Sequence, residues 1–464
     1  MIYKEVYISQ LKKNKGKIKN IENINITNKL EIDNEIRFTF YEENVDFSKY
    51  STNVKIIALY LPNFNSLNFL KNYIPKYKGH HQPRILDKRY INNYNLANYY
   101  LVKKQIQLAK SHGIYGFGIY FYWFSGKTIF DKPLNFIYKS NIKFNYLLIW
   151  KNELIKNEKN EILLKVKYEK NDPENFILYI KKYLLDQRYI RIQGKPIIGL
   201  YAPKKIPKLK ETITIWRTKA IEYGIGKIII ISALNGINIR ELIDMKLFDA
   251  AYKIYTNNLF FNNICKNTRY NYIYYYGIFY TNIMSNEEID NFPVYKSIMV
   301  EYDNSPISQE AKIFGDYSPE LFYILNQYLI HQINNNYNQL NNFLFINAWN
   351  NYYEGTYLEP DSKYGYSSLN ALSKALFNLP FKTIHNNLSY LFANCSVAIQ
   401  VHVFYDDLIE EIVNRTNNIL VKFDLYITTD NNKKMEFISQ YKLKHPHTPP
   451  LKIFHFLFNS PLKI

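Results

Sequence analysis

Between Val54 and Leu379 the chain alternates short, nearly continuous apolar runs with segments whose apolar residues recur every three or four positions. Eight runs stand out: VKIIALYLP (54–62), GIYGFGIYFYW (113–123), FNYLLIW (144–150), KPIIGLYAP (195–203), KIIIISAL (227–234), DAAYKIY (249–255), SIMVEYD (297–303) and FLFINAW (343–349). Runs without polar alternation predict parallel strands buried on both faces. Between them, Asn95–His112 predicts a helix, because Leu96, Tyr99, Val102, Ile106 and Ala109 fall on one face and Gly113 supplies a stop. Pro173–Asp186, Lys208–Tyr223 and Ser318–Asn334 have the same character. Strand and helix in eightfold alternation predict the α/β class and a (β/α)₈ TIM-like barrel over 54–385. A doubly wound open sheet is the alternative, but it gives no reason for a count of eight.

Residues 1–53 precede this pattern as an N-terminal extension, in which LEIDNEIRFTF (30–40) partly alternates. After His385 the character changes: SVAIQVHVF (396–404), FDLYITT (423–429) and LKIFHFLF (451–458) read as strands and YDDLIEEIVNRT (405–416) as a helix. Three parallel strands leave edges and faces uncovered, which predicts a small partial α/β (Rossmann-like) unit over 395–464, truncated or completed by a partner.

Composition changes the picture little. Hydrophobic residues make up 47% of the 464 residues, enough for a large core. The net charge of +19 raises nucleic acid, an anionic membrane face and acidic glycans as partners. The lysines are spread along the chain, however, and no nucleic-acid module is recognisable, so nucleic acid is not expected. The one tight cluster, KKNKGKIK (Lys12–Lys19), is a candidate contact for the inner face of a membrane. Two distant cysteines give no disulfide framework or metal pattern, the opening MIYKEVYISQLKKNKGK has no apolar core of signal-peptide length, and the apolar runs are too short to span a bilayer. A cytoplasmic protein without cofactor or metal is the expectation.

In a barrel the site lies where the strands end. Reading each exit gives His80 and Gln82 in the first loop, Tyr122 and Trp123 after the second strand, and Trp150, Asn152 and Glu153 after the third. Tyr201 follows the fourth strand and Asp303 the seventh; Asn347, Trp349, Asn350, Asn351, Glu354 and Glu359 follow the eighth. The inventory is acids, amides and rings, with no lysine nucleophile and no phosphate-cradling glycine loop. Carbohydrate calls for that set: ring faces pack on the C–H face of a sugar, amides and carboxylates pair with hydroxyls, and two carboxyls flank a glycosidic bond. With 45 tyrosines in the chain, any single ring is as compatible with core or rim. Glu354 and Glu153 are the candidate catalytic pair, and the other residues are candidate sugar contacts.

The phrases IALYLPNF, YKGHHQP, QLAKSHGIYGFGIYFYWFSGK, DQRYIRIQGKPIIGLYAP, EYDNSP and INAWNNYYEGTYLEPDSKYGY, in that order, resemble the WbsX family of polysaccharide-biosynthesis proteins. Those proteins carry a domain like glycoside hydrolase family 99. The resemblance covers roughly Lys55–Leu379 and implies a (β/α)₈ barrel, metal independence and a role in building or trimming O-antigen or capsule, with a glycan or a nucleotide- or lipid-linked sugar as substrate. AIQVHVFYDDLIEEI and FDLYITTD are similar to the start of a rhamnan-synthesis F-type domain, of which residues 395–464 match only the opening.

The family's eighth-strand phrase resembles N-A-W-N-E-W-x-E-G, in which the first glutamate implies a base and the second a general acid/base. Glu354 matches the second, but Asn351 stands at the first. At the third strand, WKNE stands where the family tends to show W-A-N-E-N-W. Two functions follow as expectations: an enzyme of glycosyl transfer or glycosidic cleavage using Glu354, and a disarmed glycan-binding or scaffold protein of the same pathway.

Overall fold

A computed structural model describes residues 41–63, 94–156, 162–254, 272–275, 292–304, 312–315, 317–335, 342–381, 397–403, 423–429 and 451–455. All eight apolar runs form parallel strands: β1 (Lys55–Tyr60), β2 (Ile114–Phe124), β3 (Asn145–Trp150), β4 (Lys195–Leu200), β5 (Ile229–Ala233), β6 (Ala250–Tyr252), β7 (Val294–Met299) and β8 (Phe343–Asn347). They pair in chain order, and β1 pairs with both β2 and β8, so the sheet closes. The closing register sets Ala58 against Ile346 on one side and Phe117 on the other. A closed parallel barrel removes the edges that an open sheet would expose.

The helices between the strands are α1 (Tyr99–Ser111), α2 (Lys132–Lys139), α3 (Asp172–Leu184), α4 (Leu209–Glu222), α5 (Ile239–Met245), α6 (Pro319–Asn335) and α7 (Ser367–Leu376). Helix α1 starts four residues later than its apolar spacing predicts, because the Asn98 side chain caps it by accepting from the Tyr100 N–H. It ends at Gly113, whose φ of +76° and close approach to Phe377 admit no Cβ. Tyr99, expected on the buried face, is exposed, and Gln105 takes a buried place instead.

Strand parity decides what reaches the site. A Cβ at Gly118 would lie 3.1 Å from Leu59 and Ile149 side chains, and one at Gly199 would lie 2.8 Å from Ile149, so these residues share the lumen. Tyr60, next to Leu59, points the other way and donates to Gln105 of α1. With a period of two, Tyr120 and Tyr122 follow Gly118 inward and Phe121 and Trp123 turn outward.

The chain separates into two compact units, Met1–Phe381 and Lys382–Ile464. In the second, Val397–Val403, Phe423–Thr429 and Leu451–His455 form a three-stranded parallel sheet in chain order, at the three predicted strands. The expected strand within 30–40, the helix over 405–416 and the Lys12–Lys19 cluster lie outside the described residues. No helix among the described residues is long and apolar enough to cross a membrane.

Candidate functional site

The loop after β8 is a small hairpin. Asn350 and Asn351 pair antiparallel with Tyr357 and Thr356, and Tyr352–Gly355 make the turn between them. Gly355 takes a φ of +65°, which lets the turn close tightly. The turn carries Glu354 over the mouth. The Asn351 Nδ2 donates to Glu354 Oε2 at 2.6 Å, the Tyr302 hydroxyl lies 3.5 Å from Oε1, and the Asp303 N–H donates to the Glu354 carbonyl at 2.7 Å. Glu354 keeps part of its surface open to solvent, as a group on the floor of a cleft does. Burial pushes its carboxyl above the usual carboxylate range, against the pull of Lys151 and the donors Asn351 and Tyr302.

Glu153 stands in the opposite environment. Burial alone would raise it, but Lys151 at 3.4 Å from Oε2 and Lys205 at 2.6 Å from Oε1 outweigh burial and hold it below the usual range. It is near enough to Glu354 to push that group's affinity for a proton further up. Lys151, which falls outside the acids, amides and rings expected at the strand exits, stands at the mouth beside Glu153. Its Nζ lies 3.6 Å from the centre of the Tyr201 ring and 4.9 Å from that of Tyr120. Burial would discharge it, yet its surroundings, the Glu153 carboxylate at 3.4 Å among them, outweigh burial and keep its ammonium form favoured. Its signal in the sequence is parity: Lys151 follows Ile149 by two positions, and Ile149 lines the lumen.

Four tyrosines complete the wall. Tyr120 and Tyr201 meet edge to face at 5.5 Å. Tyr302 lies beside Glu354 and within electrostatic reach of Tyr201, as does Tyr252, which stacks on Phe345. Burial raises all four hydroxyls, so they act as neutral donors or acceptors toward a ligand. Tyr122 sits edge-on to Phe130 with its hydroxyl pushed up to about 12, chiefly by burial. Of these rings, Tyr120, Tyr252 and Tyr302 were not among the sequence candidates.

Other expected sugar contacts are turned to structural work. Trp123 and Trp150 face the helical layer: both pack on Phe176 of α3, Trp150 also meets Trp216 of α4, and the Trp123 indole donates to Asp172 at 2.9 Å. Their odd–even placement on β2 and β3 explains the reversal, since Tyr122 and Lys151 own the inward positions. Trp349 is fully buried against Phe117. Asn152 clamps the exit of β4, accepting from the Ala202 N–H at 3.0 Å and donating to its carbonyl at 2.8 Å. Asn350 does the same for β1, accepting from the Leu61 N–H at 2.8 Å and donating to its carbonyl at 3.0 Å. Glu359 is a buried acceptor for Tyr94 at 2.9 Å, Tyr352 at 2.5 Å and Gln105 at 2.8 Å, and so anchors the hairpin to α1. Asn347 is buried, its carbonyl accepting from Thr356 Oγ1 and from the Val300 N–H, and Asp303 is buried beside Tyr302. His80 and Gln82 lie outside the described residues. Among the described residues no group of three or more His, Cys, Asp or Glu is placed to hold a metal ion.

A closed (β/α)₈ barrel whose mouth gathers carboxyls, an ammonium and tyrosines is compatible with a carbohydrate site. The chain belongs to the family described as Glycosyltransferase WbsX, whose model matches residues 56–372. It is thus a member of a carbohydrate-active family of polysaccharide biosynthesis. The uncharacterized protein WxcX of Xanthomonas campestris pv. campestris (strain B100) is 24% identical over 409 residues, covering 82% of this chain and 57% of WxcX. The chain therefore spans little more than half the length of that relative. A glycoside hydrolase-like protein of known structure is 15% identical, with a TM-score of 0.48 over 73% of this chain and 98% of its own. The endo-α-mannosidase of glycoside hydrolase family 99 from Bacteroides thetaiotaomicron is 11% identical, with a TM-score of 0.43 over 70% and 97% of the two chains. The fold stands on the strand order itself rather than on these likenesses.

Proposed function

We propose that the barrel mouth holds a glycan and that Glu354 exchanges a proton with a glycosidic oxygen in glycosyl transfer or cleavage. The observation that carries this reading is the pair of carboxyls whose surroundings drive them apart: burial raises Glu354, while Lys151 and Lys205 lower Glu153. Two acids so divided are suited to opposite roles at one pH, the raised one giving a proton and the lowered one remaining a carboxylate. In this reading Glu153 is the charged partner that stabilises positive charge developing on the sugar. Tyr120, Tyr201, Tyr302 and Asn351 bind hydroxyls, and the catalytic unit is the barrel of 54–385. The donor is a nucleotide- or lipid-linked sugar, handled in the cytoplasm at the inner membrane face. The test is Glu354→Gln: product formation from cell-surface glycans or activated sugars is lost, while glycan affinity is retained. Unchanged turnover removes Glu354 from the mechanism.

A second reading, glycan binding without turnover, is favoured by one contact. Asn351 Nδ2 occupies Glu354 Oε2 at 2.6 Å, and an amide at this place cannot accept a proton near neutral pH. Saturable glycan binding by the wild type, with no product after long incubation and hydrolysis gained by Asn351→Glu, would establish this reading over the first.

A further inference from the structure

We propose that Lys151 selects glycans bearing an anionic group, a carboxylate or a phosphate, beside the bond held at Glu354; this rests on the reading of the mouth as a glycan site. Lys151 follows β3 directly and points into the mouth with its side chain 20% exposed. Among the described residues its ammonium meets one carboxylate oxygen, Glu153 Oε2, at 3.4 Å, a long contact for an ion pair. The same carboxylate is held far more tightly by Lys205, at 2.6 Å from its other oxygen. Two ammonium groups therefore face one carboxylate, and the less committed of the two is the enclosed one.

Lys151 also lies over the faces of Tyr201 and Tyr120, at 3.6 and 4.9 Å. Ring faces hold a cation in place but satisfy its three N–H donors only weakly. An anionic oxygen entering the mouth would supply the strong acceptor these rings lack, in a place partly screened from water. A neutral sugar gains nothing comparable. Lys205, half-exposed and bound to Glu153, is the less effective reader of charge.

The test is calorimetric titration of the full chain with trigalacturonate, trimannuronate, their uncharged methyl esters, galactose 1-phosphate and galactose. The wild type is expected to prefer an acid to its ester, or the phosphate to galactose, by roughly tenfold or more, the scale of a charge-assisted hydrogen bond. That preference weakens as salt rises. Lys151→Met brings the ratio of charged to uncharged affinity to about one. Glu153→Gln, which releases Lys151 from its pair, raises affinity for the anion; a general loss of structure would lower it, so the opposite signs separate selectivity from misfolding. A uronate response assigns a carboxylate, and a response confined to galactose 1-phosphate assigns a phosphate. Equal binding of charged and uncharged forms, or a preference that survives Lys151→Met, overturns the inference while leaving the glycan site standing. Binding of none of these sugars, esters and galactose included, sinks both.

Discussion

Asn351→Glu places a second carboxyl against Glu354, and its consequence follows from the 2.6 Å contact it replaces. At low pH one proton can bridge the two carboxyls, and the exchange of an amide donor for a protonated acid leaves a hydrogen bond in place. At high pH both ionise. Two unit charges about 4 Å apart at an effective dielectric of ~20 repel by about 4 kcal/mol. The unfolded chain separates them, so the folded variant holds a proton above the pH at which the unfolded variant releases it. Stability relative to wild type is therefore lost as pH rises, and not as it falls. A barrel of roughly 330 residues has an unfolding entropy of ~0.7 kcal/mol per degree, so the full repulsion lowers Tm by about 6 °C. Scanning calorimetry of both proteins at several pH values between acid and mildly alkaline reads the difference. A Tm gap of the same size at every pH would mean that residues 351 and 354 do not meet, and the hairpin geometry would be wrong.

Asn350→Ala leaves a buried N–H and carbonyl of Leu61 without partners and is expected to cost about 2–6 kcal/mol in urea unfolding; a loss under about 0.5 kcal/mol would show that the clamp does not hold β1. Trp150→Ala costs about 3–5 kcal/mol by opening the α3–α4 layer, with glycan affinity measured on the folded fraction unchanged; affinity lost at full stability would return Trp150 to the sugar wall. Turnover falls as pH rises through the raised pKa of Glu354, which must be protonated, and falls as pH drops through the lowered pKa of Glu153, which must be ionised. Lys205→Met moves the acid limb of that profile upward, and an unmoved limb would remove Glu153 from it.

The eight strands are legible because parallel strands covered on both faces are written as unbroken apolar runs, and the ends of the runs match the strand ends to within four residues. The same property hid the site. A run apolar on both faces carries no alternation, so nothing local says that Trp150 faces α3 while Lys151 faces the mouth. Parity becomes readable only once Gly118 and Gly199 are known to flank Ile149 in the lumen. Asn350 and Asn152 looked like sugar contacts because clamping a backbone and binding a hydroxyl use the same amide. Glu359 reads as a rim acid because two of its three partners, Tyr94 and Gln105, lie more than 250 positions away along the chain. Lys151 falls outside the expectation because residue type, not position, sets it.

The central claim is that the mouth divides its two acids, with Glu354 holding a proton and Glu153 releasing one. The most direct measurement is a carbon-13 NMR titration of glutamate carboxyls in the wild type, with Glu354→Gln and Glu153→Gln assigning the two signals. The account predicts a Glu354 carboxyl titrating above the usual carboxylate range and a Glu153 carboxyl titrating below it. Two carboxyls titrating together at ordinary values, or in the reverse order, would contradict it.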